Sequence, residues 1–176
     1  MQNMGGNMGI NYIVMVKRVI LSIFLSMSLL LPANSASALE GLVKFGKNKD
    51  ATVFLEIAVT SEEKAKGLMN RTHLDSNRGM VFVFKPATQV TFWMKDTLIS
   101  LDMIFVNNGK VVNIAKDALP NQTSVLYPSG QQITEVIEVN AGFSDKYNVK
   151  IGDTVNFENI SQIDYSTNSK LMIIKK

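Results

Sequence analysis

The stretch from Gly79 to Asn107, GMVFVFKPATQVTFWMKDTLISLDMIFVN, constrains the fold more than any other part of the chain. It holds four of the nine Phe and the sole Trp, and turn-forming or charged residues cut it into three apolar runs of strand length. In the first run Met80, Phe82 and Phe84 share one face, with Val81 and Val83 on the other. In the second, Val90, Phe92 and Met94 alternate with Thr91, Trp93 and Lys95. In the third, Leu101, Met103 and Phe105 alternate with Asp102, Ile104 and Val106. Apolar residues on both faces imply a sheet covered on both sides. A charge set among them, Lys95 or Asp102, must then stand at a strand end or have a partner.

The flanking segments extend this pattern. Residues 42–45 and 51–59 read as strands, with Val53, Leu55, Ile57 and Val59 on one face and a turn over 46–50. Thr60-Ser61-Glu62-Glu63 has the form of a capping box, which predicts one short helix over about 61–69 with Ala65, Leu68 and Met69 facing inward. Asn108-Gly109 predicts a type I′ hairpin joining 101–107 to 110–116, with positive φ at both central residues. Residues 117–132 read as a long loop, 133–139 as a strand, 141–147 as a helical turn, and 154–157 as a closing strand. Because the intervals between strands are too short for a series of helical crossovers, a parallel α/β fold is disfavoured. The fold class expected is mainly β, a single-domain sandwich or distorted barrel of about eight short strands with one short helix.

The N-terminal region reads differently. Lys17-Arg18 precedes an apolar run from Val19 to Leu31, and small residues follow up to Ala36-Ser37-Ala38. That is the n-region, h-region and cleavage-site pattern of a secretory signal peptide over residues 1–38, with Met15 a candidate start. The run is too short for a membrane span, so no stable anchor is expected after cleavage. Residues 39–158 form one β domain on this reading, and 159–176 a tail that can add an edge strand through Leu171–Ile174. Without Lys17 and Arg18, 16 Lys and Arg nearly balance 15 Asp and Glu, so nothing in the charge points to nucleic acid. An exported chain without cysteine can form no disulfide, so its core alone must hold it. A periplasmic or extracellular location is therefore expected.

Five blocks carry a resemblance: Gly67-Leu68-Met69-x-Arg71, Gly79-Met80-x-Phe82, Phe92-Trp93-Met94-Lys95-x-Thr97, Leu101-Asp102-x-Ile104-Phe105, and Glu138-x-x-Ala141-Gly142 with Gly152-Asp153. In this order they resemble the uncharacterised family catalogued as domain of unknown function 192, over about Val53 to Phe157. The resemblance implies a compact, mostly β domain, often carried on exported bacterial proteins, with no established activity. Ser100 stands where that family usually has proline, which leaves the turn before Asp102 less rigid.

Several sites compete on the residues alone. Arg71, Lys95, Asp102 and Glu138, with Trp93 as an aromatic wall, could line a pocket for a small polar ligand. The plainer alternative is a structural Lys95–Asp102 ion pair. Asp102 and Glu138 could instead serve a saccharide hydrolase as its two carboxylates, if a cleft held them at the spacing such catalysis needs. Met69, His73, Met80 and Met94 beside Trp93 suggest a thioether site for Cu(I), with Met103 a weaker member. Methionines at strand periodicity are more often core filler. No cysteine or nucleophile-elbow pattern supports nucleophilic catalysis. The reading that follows is a non-catalytic exported domain, without a cofactor, that binds a small polar ligand or another exported protein.

Overall fold

The computed structural model describes residues 40–46 and 51–160. In chain order the elements are β1 (Glu40–Phe45), β2 (Thr52–Ala58), α1 (Ser61–Lys66), β3 (Arg78–Thr88), β4 (Thr91–Phe92), β5 (Leu101–Asn107), β6 (Lys110–Ala118), β7 (Tyr127–Pro128), β8 (Ile133–Asn140), α2 (Phe143–Lys146) and β9 (Val155–Glu158). Seven strands form one sheet in the order β6-β5-β8-β3-β2-β1-β9, while β4 and β7 pair separately. The fold is mainly β, as the alternation predicts. The signal-like segment and the tail beyond Ile160 lie outside the described residues.

The sheet curls until its two edges meet. Val111 N–H donates to Asp153 O at 2.9 Å, Gly152 N–H to Val111 O at 2.8 Å, and Val155 N–H to Gly109 O at 2.8 Å, so β6 is tied to the start of β9. Closure of this kind removes exposed strand edges at that end. It also gives the sheet an inner and an outer face, each with its own core. Inside pack Val43, Phe45, Val53, Leu55, Ile57, Val81, Val83, Ile104, Val106, Ile137 and Val139. Outside, Met80, Phe82, Leu101, Met103, Phe105 and Val136 of the three central strands are roofed by Leu68, Leu74, Met94 and the half-buried Phe84, Val90 and Phe92. The ring of Phe92 meets Phe82 edge-on at 5.0 Å and Phe105 at 6.2 Å.

Local sequence signals account for the corners. Thr60 Oγ1 accepts from Glu63 N–H at 3.1 Å and the Glu63 carboxylate accepts from Thr60 N–H at 3.2 Å, so both halves of the capping box are made. Asn108 and Gly109 have φ of 47° and 71°, the values a type I′ turn needs, and β5 and β6 pair through Asn107 and Lys110.

Three expectations need correction. The helix ends at Lys66, because Gly67 turns out of it with φ 47° and ψ −134°; Ala65 is exposed, and Leu68 reaches the core from the loop. Of the apolar run 90–95 only Thr91 and Phe92 form strand, paired to Tyr127 and Pro128. Its side chains still alternate in and out, but a turn at Asp96, φ 52°, ends the pairing. Finally, β2 and β3 are parallel, the only such pair among the described strands, with α1 and its following loop as the crossover.

Candidate functional site

Register fixes which predicted site residues share a face. Met80 and Met103 both lie opposite Glu138, on the outer face, whereas Asp102 lies opposite Val139, on the inner face. The fold does not bring Asp102 and Glu138 to one substrate.

Asp102 is fully buried. Its Oδ1 accepts from the backbone N–H of Asp117 at 3.0 Å and of Gly142 at 3.3 Å, and Oδ2 accepts from Ser144 N–H at 2.8 Å. Three donated amides satisfy a buried carboxylate as an ion pair would. Lys95 is elsewhere, solvent-exposed, with Nζ 5.5 Å from the ring centroid of Trp93. The Lys95–Asp102 ion pair is therefore absent: Asp102 pins the β6 end and the α2 turn to β5. Sequence spacing carried no sign of partners 15 to 42 residues downstream.

Glu138 keeps 5% of its surface exposed, and among the described residues its carboxyl has no hydrogen-bond or charged partner. Burial pushes its pKa up to about 8, so at neutral pH it holds its proton. Arg71 forms a two-pronged bridge to Glu56, Nη1–Oε1 and Nη2–Oε2 both at 2.5 Å. Hydrogen bonding to Glu56 raises the guanidinium's pKa further. Two of its five N–H groups are thus committed to Glu56.

The methionine set divides. Met80 and Met94 are buried in the outer core, Met69 is half-buried, and His73 is 79% exposed with Nε2 2.9 Å from Asp75. His73 is a surface residue and no member of that core.

Two surface features remain. In the first, three loops are stitched together: Asn70 N–H donates to Asp96 O at 2.7 Å, and Asn121 N–H to Thr97 O at 2.9 Å. Met94 anchors the middle loop inward, which forces its neighbours Trp93 and Lys95 outward. Trp93 is 49% exposed, and Leu98, Leu119, Val125 and Leu126 are exposed with it. The aliphatic members escaped sequence reasoning because they sit in segments without periodicity. The second feature is an open cleft of about 350 Å³ at the C-terminal end of β8, lined among others by His73, Ser76, Asn140, Gly142, Lys146 and Tyr147. Asn140 Nδ2 holds its wall by donating to Leu74 O at 2.9 Å and Asp75 O at 3.1 Å. The lone histidine was the sequence signal that could have pointed there.

The curled sheet with two cores and a loop-borne aromatic platform defines a mainly β domain. The chain belongs to the family of domain of unknown function 192, described as an uncharacterized ACR, whose model matches residues 43–157. It is similar to a crystallised protein of unknown function from Novosphingobium aromaticivorans DSM 12444, with 36% identity and a TM-score of 0.63 over 69% of this chain and 89% of that one. It is also similar to a crystallised Sinorhizobium meliloti 1021 protein described provisionally as a transcription regulator, with 27% identity and a TM-score of 0.64 over 69% of this chain and 95% of that one. No curated protein matches.

Proposed function

We propose that this is an exported, non-catalytic binding domain that docks a partner protein on the three-loop platform of Trp93, Lys95, Leu98, Leu119 and Leu126. The observation that carries the reading is the exposure of Trp93 among exposed aliphatic side chains on loops braced by backbone hydrogen bonds. Contiguous apolar surface on a soluble domain is a usual mark of an interaction site. Trp and Arg are the residues most often at the energetic centre of an interface. Leu and Val suit a protein better than a sugar, whose polar ring edges need hydrogen-bonding neighbours. Lys95 over the indole lends the patch a positive rim. Export rests on the signal-like pattern of residues 1–38, and N-terminal sequencing of the secreted form, beginning at Leu39, would bear it out.

Trp93 is the sole tryptophan, so 5-fluorotryptophan labelling gives one fluorine resonance for the site. Titrating the labelled protein with the exported proteins of its own cells should shift or broaden that resonance. A line that stays sharp and unmoved would contradict the reading. A second reading, a small polar ligand, is supported by the cleft beside His73, Asn140 and Lys146, whose size suits a small molecule.

A further inference from the structure

The carboxyl of Glu138 is the one charged-type side chain of the outer core for which the fold supplies no partner among the described residues. Buried polar groups are nearly always satisfied, and this one has only the solvent that its 5% exposure admits. What surrounds this one is specific. Glu138 is directly opposite Met80 on β3 and directly opposite Met103 on β5. Residues facing each other across antiparallel strands project on one side with Cβ atoms about 5 Å apart, so the carboxyl stands between two thioether side chains. Met80 and Met103 are themselves buried, at 7% and 0% exposure.

Overhead, the chain passes as Gly67. A Cβ placed there would stand 4.0 Å from Glu138 Oε2 and 3.1 Å from Phe82 Cζ, so the Gly67 backbone passes close to the carboxyl. We propose that Glu138, Met80 and Met103 form a site for a soft monovalent cation, Cu(I) or Ag(I). Thioethers select soft ions, and hard ions such as Na⁺ or Ca²⁺ require several oxygens where this row offers one carboxyl. Zinc would want nitrogen or thiolate ligands. Charge decides the valence: one carboxylate and one monovalent cation sum to zero, whereas a divalent ion would leave a net charge buried in an apolar core. This ligand set excludes His73, which is on the surface, and adds Glu138. It is independent of the partner-docking platform.

The test is an anaerobic Cu(I) titration of the purified protein against a chromogenic chelator, with Ag(I) followed in parallel by methionine-methyl NMR. One equivalent should bind more tightly than micromolar, and the methyl resonances of Met80 and Met103 should shift together. Glu138→Gln should weaken binding by more than about 100-fold, the upper end of what losing a merely supporting group costs. Met80→Leu and Met103→Leu conserve volume, so they keep the core filled and give the same readout if Glu138→Gln folds poorly. The proposal is overturned by binding no tighter than micromolar, by Glu138→Gln or both leucine variants binding as the parent does, or by shifts confined to other methionines.

Discussion

Replacing Asp102 with Asn tests the anchor at the centre of the fold. The substitution keeps the shape and one carbonyl oxygen, which can still accept from Asp117 and Gly142 N–H, but it removes the charge from those bonds. A hydrogen bond to a charged group contributes about 1.5–3 kcal/mol against about 0.5–1.5 for a neutral one, so the two retained bonds weaken by about 1 kcal/mol each. The third bond is worse off. The new amide NH₂ faces Ser144 N–H, a donor against a donor, and a buried N–H left without an acceptor costs about 1–3 kcal/mol. The sum is about 4 kcal/mol, readable as a lowered urea midpoint at unchanged m-value. Lys95→Ala, made in parallel, should stay within about 0.5 kcal/mol, because Lys95 is exposed and bonded to nothing inside. The double mutant should be additive. An Asp102→Asn cost below about 1 kcal/mol, or coupling to Lys95 above that size, would refute the reasoning.

Folded Glu138 keeps its proton to about pH 8, against an ordinary value of 4.5, so its contribution to stability is fully present below pH 4.5 and is lost as pH rises through 8. Measured on chelator-treated protein, that decline should amount to about 4–5 kcal/mol, and Glu138→Gln should flatten it. Gly67→Ala should cost about 1–3 kcal/mol in thermal unfolding, because its backbone lies where an L-residue is strained and the new methyl meets Phe82 at 3.1 Å. Ser144→Ala should be neutral or slightly stabilising by the same assay, since the hydroxyl is buried with no hydrogen-bond partner.

The two-core architecture was legible wherever side chains alternate. Met80 and Phe82 against Val81 and Val83 already sorted themselves between outer and inner cores. So did Met103 and Phe105 against Ile104 and Val106. The capping box at Thr60 and the turn at Asn108-Gly109 were legible because each is a local contract between side chain and backbone. The segment 90–95 shows the limit: alternation reports which way side chains face, and Phe92 and Met94 do face inward, but it does not report where the backbone finds its hydrogen bonds. Asp102 shows a second limit. That it must be partnered followed from its apolar neighbours; that its partners are amides of residues 117, 142 and 144 follows only from the closure of the sheet. The platform was half legible. Trp93 and Lys95 were visible as residue types, whereas Leu119 and Leu126 are brought towards them by the Asn121–Thr97 bond and the β4–β7 pairing, which no spacing encodes.

Site-specific photo-crosslinking in living cells tests the proposed docking platform most directly. A photoreactive residue at Leu98, within the platform, and one at Ile151, an exposed apolar position on the turn before β9, give a matched pair. The account predicts a discrete adduct of higher mass from position 98, absent from position 151 and lost when Trp93→Ala is combined with the probe. Equal adducts from both positions, or none from position 98, would contradict it.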